Sequence, residues 1–311
     1  MTLNSDPEHI HRFLKSPSVG PIFAITSMVT FQAGMAFSVP LLVAVGPSVG
    51  AWLRMVAAAF ALYALVRPNL FLYSLKSLRL AALSGMATCG MAFFFAEAII
   101  RIPLGMATAI EFLGPLAVAL GSSRARRGVG WVVLAAVGVA SLTLEPSAPP
   151  RNIAGIAFAL GAAGSWAGYI ILTKRVSDAF VGLEGLAVSL AVCAIVGTPV
   201  AFWQWKSETA VGIVAASLGL GLIIPGLPYS LEMLALRKMT PQTFGMLMSL
   251  DPAIAAVLGW MILGQALDMQ KVSGIAFVIV ASIGTIRGRA RAVSAPLKGE
   301  PTYRPHSDQT P

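Results

Sequence analysis

Long apolar stretches separated by short polar gaps dominate this chain. Ten can be delimited, at residues 19–44, 48–66, 79–97, 103–121, 128–144, 152–173, 183–203, 209–234, 241–263 and 271–287. A helix needs roughly 20 apolar residues to cross a bilayer, and most of the stretches approach or exceed that length. Continuous apolar stretches indicate helices, because the strands of membrane β-barrels are short segments in which apolar and polar residues alternate. The pattern predicts an all-α membrane protein with ten transmembrane helices.

Composition agrees with this prediction and narrows the chemistry. The 311 residues are 57% hydrophobic and only 11% charged, whereas soluble domains carry about 25% charged residues. The net charge of +9 comes from basic residues in the gaps, where membrane orientation explains them better than nucleic-acid binding does. Cys89 and Cys193 both lie inside apolar stretches. We therefore expect no disulfide framework, no metal site and no cofactor.

Basic residues concentrate in alternate gaps between the stretches. Seventeen of the 22 Lys and Arg residues fall in gaps that share one face of the membrane, and four fall on the other. Because positively charged loops stay in the cytoplasm, both termini are predicted to be cytoplasmic. The crowded face holds Arg12, Lys15, Arg67, Lys76, Arg79, Arg124, Arg126, Arg127, Lys174, Arg175, Arg237, Lys238, Arg287, Arg289, Arg291, Lys298 and Arg304; the opposite face holds Arg101, Arg151, Lys206 and Lys271.

The two halves of the chain share a pattern that indicates an internal repeat. Arg101 before the fourth stretch and Lys238 before the ninth are each followed, fourteen residues later, by a proline, Pro115 and Pro252. Each half holds five stretches, and because five is odd the second copy must be inverted relative to the first. We predict two inverted five-helix repeats at 18–145 and 152–288, a cytoplasmic tail at 1–17 and a disordered cytoplasmic tail at 289–311.

Two carboxylates lie deep inside apolar stretches. Glu111 is eight residues beyond Pro103 and Asp251 is ten beyond Pro241, which places them about 12 and 15 Å along their helices. Both depths approach the middle of an apolar layer about 30 Å thick. Such residues usually face a bundle interior and bind ions or substrates. At least one is expected to bind a substrate ammonium group or a coupling proton; the alternative is that they only fasten the bundle.

Prolines beside these carboxylates predict interrupted helices. Gly114-Pro115 and Asp251-Pro252 should loosen or break their helices, since proline lacks a backbone donor and clashes one turn back. Pro225 and Pro228 should act similarly in the eighth stretch. Freed carbonyls and half-helix N-termini can hold charged groups of a ligand. The alternative is a structural kink without ligand contact.

Three charged residues in the apolar stretches have more than one possible role. Arg54 can hold a substrate carboxylate, pair with Glu97 or Glu111, or extend its head group to the membrane interface. Glu97 is predicted near the outer surface of the membrane, and Glu232 close to the cytoplasmic end of the eighth stretch. That placement favours a solvated, interfacial or gating role over binding.

Four further polar or aromatic residues are candidates for a cavity wall. They can supply hydrogen bonds, or cation–π contact to an ammonium group. Packing and interface anchoring are the alternative roles of aromatic residues in membrane helices. The four residues are Tyr229, Trp166, Tyr169 and Gln32.

Several motifs resemble a known family. The five-plus-five arrangement, with Leu-Asp-Pro-Ala at 250–253, resembles the drug/metabolite transporter superfamily, EamA type, in which Leu-Glu-Pro is common at that place. The segments 101–117, 228–237 and 243–249 are similar to those of the RhtA-type threonine/homoserine exporter group. The resemblance covers about residues 18–288. It implies a bacterial inner-membrane protein that exports small amino acids in exchange for protons, with the lipid bilayer as its surroundings.

Other functional classes fit the sequence less well. The three histidines lie in the tails and Asp251 is the only aspartate within a stretch, so the residues of an intramembrane protease are missing and we expect no enzyme. No phosphate-binding loop of an ATP-driven pump occurs. The remaining alternative is a carrier of the same superfamily for other small metabolites or cationic drugs. The sequence gives no oligomeric state.

Overall fold

The computed structural model describes residues 19–121, 129–143, 152–205, 210–224, 226–236, 238 and 247–293. These residues form helices joined by short turns, as predicted. The helices are α1 Val19–Val45, α2 Pro47–Val66, α3 Leu75–Ile99, α4 Leu104–Glu111, α5 Leu113–Gly121, α6 Val129–Thr143, α7 Ile153–Ala179, α8 Glu184–Gln204, α9 Val211–Ile223, α10 Gly226–Leu236, α11 Asp251–Leu263 and α12 Met269–Val293, with a 3-10 turn at Leu70–Leu72.

Each of the ten predicted stretches contains a helix, and two of them contain a pair of shorter ones. Six described helical segments are long and apolar enough to cross a membrane by length and composition. Large apolar side chains such as Phe60, Leu65 and Trp203 point outward from the bundle, which suits a protein surrounded by lipid. α12 runs five residues past the predicted boundary at 288; the predicted tails otherwise fall on residues 1–18 and 294–311, outside the described residues.

Helix interruptions occur in the fourth and eighth stretches. α4 ends at Glu111 and α5 begins at Leu113, three residues earlier than the predicted Gly114-Pro115 break. The shift follows from proline chemistry, since Pro115 has no N–H for the carbonyl four residues back, at Glu111. In the eighth stretch α9 ends before Ile224, which is extended, as residues before proline prefer.

The other two predicted prolines behave differently. Pro252 occupies the first turn of α11, where a missing N–H costs nothing. Pro228 lies in the first turn of α10 and does not interrupt it. Its carbonyl oxygen accepts a hydrogen bond from Ser27 Oγ of α1 at 2.8 Å. Pro225 lies outside the described residues.

Packing is strongest between the two halves of the chain. α1 packs on α10 and α11, α2 on α8 and α9, and α3 on α7 and α8, while α4 contacts α7 and α11, α5 contacts α7, and α6 contacts α12. Glycine permits close approach at one of these crossings: a Cβ on Gly105 of α4 would lie 2.7 Å from Ala256 Cα of α11. The interior between the halves therefore combines residues from both.

Candidate functional site

Arg54 of α2 is buried in the interior, with only 3% of its surface exposed. Its Nη1 donates to Ser38 Oγ at 3.1 Å and lies 2.9 Å from Met35 Sδ, both on α1. Its buried Nε has no hydrogen-bond partner, and the described residues place no carboxylate in an ion pair with Arg54. A buried charge without a counter-ion is costly. Among the described residues, the guanidinium thus contacts a hydroxyl and a thioether and has no counter-ion.

The backbone of Arg54 packs closely against α9, and its side chain is buried against α1. Gly221 of α9 lies against it, and a Cβ there would stand 2.6 Å from Arg54 Cα. Gly34 of α1 similarly leaves room for the side chain of Ile224. These contacts exclude the interfacial alternative for Arg54, because its side chain extends inward between α1, α2 and α9.

A narrow cavity opens beside the guanidinium. Its polar wall consists of Arg54, Glu111 and Tyr229, and its apolar wall is rich in methionine and aromatic side chains. Methionine adapts its shape to irregular partners. The apolar wall is formed by Phe31, Met35, Met55, Met91, Ala92, Phe95 and Ile224.

Glu111 occupies the last position of α4, where the helix is interrupted. Its side chain is 6% exposed and lines the cavity that Arg54 also lines. Because Pro115 cannot donate to it, the Glu111 carbonyl loses its usual helical partner at the same point. The interruption thus coincides with the residue whose side chain contributes a carboxylate to the cavity wall.

Asp251 is the first residue of α11 and is also buried, at 5% exposed. The N-terminal end of a helix carries partial positive charge, which favours a carboxylate there. Gln32 Nε2 of α1 donates to Asp251 Oδ2 at 2.8 Å. The Gln32 side chain is 1% exposed, and its Oε1 has no hydrogen-bond partner among the described residues.

The acidic residues form one electrostatic group. Glu111 and Glu232 each interact electrostatically with Asp251, so the two deep carboxylates predicted from sequence lie near each other. Glu232, predicted close to the cytoplasmic end of its stretch, is partly buried on α10 and also interacts with Tyr169 and Tyr229. Its helix packs on α1, and the side chain remains partly exposed.

Three aromatic rings stack beside this group. Phe31 and Tyr229 have ring centroids 6.2 Å apart, and Tyr229 and Tyr169 are 6.4 Å apart. Of these, Phe31 and Tyr229 line the cavity. Trp166 instead packs edge-on against Phe112 at 5.7 Å, at the interruption between α4 and α5.

Glu97 was predicted at the surface, but it is 8% exposed. Its Oε1 accepts from Ser48 Oγ of α2 at 3.0 Å, and its Oε2 is ion-paired with Arg101. The Arg101 guanidinium lies 5.0 Å from the ring centre of Phe158 on α7. The Glu97–Arg101 pair thus joins α2, α3 and α7, and it leaves Arg54 unpaired.

A second set of hydrogen bonds between the halves joins the turn before α3 to the start of α8. Tyr73, before α3, donates from its hydroxyl to Glu184 Oε2 at 2.7 Å, and Val181 N donates to the Tyr73 hydroxyl oxygen at 3.3 Å. Its ring lies 4.2 Å from that of Phe180. The hydrogen bond to Glu184 raises the pKa of Tyr73.

Sequence reasoning missed Ser38 and the methionines of the cavity wall. Their apolar surroundings resembled ordinary membrane helix. The available signal was helical spacing, since Phe31, Met35 and Ser38 lie three or four residues apart on α1 and therefore share one face.

Comparison with known proteins assigns this arrangement to a class. Residues 153–287 match the EamA-like transporter family. A solved crystal structure has the same fold, with a TM-score of 0.62 at 18% identity, covering 90% of this chain and all of the other.

Two curated relatives narrow the class. The chain is 35% identical over 274 residues to the threonine/homoserine exporter RhtA of Escherichia coli, covering 85% of this chain and 90% of that protein. It is 36% identical over 282 residues to RhtA of Salmonella typhimurium, covering 87% and 92%. The chain therefore belongs to the EamA-like transporter family of the drug/metabolite transporter superfamily, and is RhtA-like. It is a multi-pass membrane transporter and not an enzyme.

Proposed function

We propose that this protein exports small zwitterionic amino acids such as threonine and homoserine across the bacterial inner membrane. The observation that carries the proposal is Arg54, a buried cation to which the described residues give no carboxylate partner, and which lines the same cavity as Glu111. The names of the RhtA relatives support the cargo.

A zwitterion satisfies both ends of this cavity. The guanidinium of Arg54 binds the cargo carboxylate, for which its planar donors are well suited. Glu111 binds the cargo ammonium group, assisted by the ring of Tyr229. The methionine-rich wall accepts the side chain. Each charged group gains a partner of opposite charge that the described residues do not supply.

The repeat architecture remains part of the proposal. When each stretch of the first half is matched to the stretch at the same position in the second half, the contacts between helices correspond as well. The contact of α1 with α10 corresponds to that of α7 with α3, and the contact of α1 with α11 corresponds to that of α7 with α4. This symmetry supports two repeats at 18–145 and 152–288, inverted because each has five spans. Alternating access then moves one repeat against the other, with both termini in the cytoplasm.

Proton exchange provides the driving force in this proposal. A carboxyl group removed from water favours its protonated form, and the buried group of Glu111, Asp251 and Glu232 offers such sites. Each charge that crosses ~100 mV releases about 2.3 kcal/mol. Outward movement of one amino acid per proton is therefore energetically feasible.

Efflux from vesicles tests the proposal. Vesicles containing the purified protein are loaded with labelled threonine or homoserine, and release is followed under an imposed pH gradient, with a permeant organic cation as the comparison cargo. Release of the amino acids, absent from protein-free vesicles, is expected. Release of the cation alone would favour a drug carrier, an outcome that the cationic Arg54 in the cavity wall argues against.

A further inference from the structure

We infer that the two deep carboxylates have separate tasks: Asp251, positioned by Gln32, carries the coupling proton, whereas Glu111 binds the cargo. This inference rests on the proposed function and assigns the coupling group within it. It starts from the different surroundings of the two side chains.

Glu111 is placed for cargo. It lines the cavity together with Arg54, and the described residues give its carboxylate no hydrogen bond from the protein. A zwitterion that reaches Arg54 with its carboxylate has its ammonium group within the same cavity. Glu111 is the acidic residue among those that line it.

Asp251 is placed beside the cavity and already has a partner. It is absent from the cavity wall, and its Oδ2 accepts a hydrogen bond from Gln32 Nε2 at 2.8 Å. It nevertheless interacts electrostatically with Glu111. A charge change at Asp251 is therefore felt at the cargo carboxylate without a shared ligand.

Gln32 can satisfy both protonation states of Asp251. Its amide nitrogen donates to the carboxylate, and its buried Oε1 has no partner in this state. An unsatisfied buried acceptor costs about 1–3 kcal/mol. When a proton binds an Asp251 oxygen, a half-turn of the Gln32 amide presents Oε1 as acceptor for the new O–H. No hydrogen bond is lost in either state.

The surroundings of Asp251 contain few other charges. α1 has no ionisable residue between Val19 and Val45, α4 supplies Glu111, and α10 supplies Glu232. On α12, Lys271 is ion-paired with Asp268. Protonation of Asp251 therefore relieves its electrostatic repulsion with the carboxylates of Glu111 and Glu232. It does not strengthen the binding of either carboxylate to a cation of the protein.

Three substitutions in the full-length protein, reconstituted in vesicles, test the assignment. Asp251→Asn should abolish threonine-dependent proton movement and gradient-driven accumulation, while exchange of internal for external threonine at equal pH continues at a reduced rate. Glu111→Gln should lose exchange as well. Gln32→Leu should shift the pH profile of transport to higher pH, because the bond that Gln32 donates to the charged carboxylate is stronger than the bond that it accepts from the neutral acid.

Ser27→Ala is the matched control for Gln32→Leu. Ser27 is also buried on α1 and donates to the other half, at Pro228 O, so its loss should leave the pH profile in place. Proton movement by Asp251→Asn, or loss of exchange in a folded Asp251→Asn protein, would overturn the assignment. Failure of the proposed function would differ, since the unsubstituted protein would then move neither amino acid, and the inference would fall with it.

Discussion

Two arginines in the first half of the chain differ in the partners of their guanidinium groups. Arg101 is ion-paired with Glu97, and its guanidinium lies against the ring of Phe158. Arg54 is more deeply buried, yet its partners are a hydroxyl and a thioether, and its Nε has none. The first charge is neutralised within the fold, and the second has no counter-ion among the described residues.

This difference indicates that Arg101 serves the stability of the fold, whereas Arg54 is proposed to serve ligand binding. The Glu97–Arg101 pair connects helices of both halves and needs nothing from outside. Burial of Arg54 without a counter-ion lowers stability, and the proposed binding of a cargo carboxylate would offset that cost. Substitutions at the two positions should therefore affect different properties.

The largest effect is expected for Arg54→Gln. Loss of a charge-assisted hydrogen bond of about 1.5–3 kcal/mol should weaken threonine binding roughly 10- to 150-fold. Folding should be preserved or improved, because an unpaired buried charge is removed. Threonine binding and thermal unfolding of the purified protein provide the two readouts. Unchanged affinity would remove Arg54 from the site.

Gly221→Ala should produce the next largest effect. The new Cβ would stand 2.6 Å from Arg54 Cα, so α9 or the Arg54 backbone must shift, at a cost of about 1–3 kcal/mol. Transport should fall because the guanidinium moves away from the cavity. Gly219→Ala is the matched control on the same helix, since nothing lies within 4 Å of its Cβ. Equal effects from both would contradict the close contact.

Arg101→Gln should have a smaller effect, and mainly on stability. The pair is partly exposed, and such pairs contribute about 0–1 kcal/mol. Threonine affinity should stay near that of the unsubstituted protein, while the melting temperature falls slightly. A loss of affinity as large as that of Arg54→Gln would show that the two arginines do not have separate tasks.

Tyr73→Phe should have the smallest effect, because it removes only the hydroxyl that donates to Glu184 and accepts from Val181 N at the periphery of the bundle. The hydrogen bond to Glu184 raises the pKa of Tyr73 above its ordinary 10.0. A raised pKa means that the contribution is fully present below pH 10.0 and is lost as pH rises through the folded-state value. The stability difference between the two proteins should thus be constant from pH 6 to 9 and narrow only above pH 10. If the stability difference narrowed near neutral pH, its attribution to the Tyr73–Glu184 hydrogen bond would be contradicted.

The sequence predicted the helices well because apolar length is a local property. It also predicted that Glu111 and Asp251 are deep, since depth follows from helical rise. It did not predict the partner of Glu97 or the interaction of Glu232 with Asp251, because helix position alone does not say which neighbour covers a side chain. The Gln32–Asp251 bond joins residues 219 positions apart, and no local pattern encodes such a pair. The break at Glu111, by contrast, follows directly from Pro115.

The central claim is that Arg54 binds the carboxylate of the cargo. Equilibrium binding of threonine and of threoninol, in which an alcohol replaces the carboxylate, to the unsubstituted protein and to Arg54→Gln tests it most directly. The account predicts that the unsubstituted protein strongly prefers threonine and that Arg54→Gln loses this preference while its affinity for threoninol is unchanged. An equal preference for threonine in both proteins would contradict it.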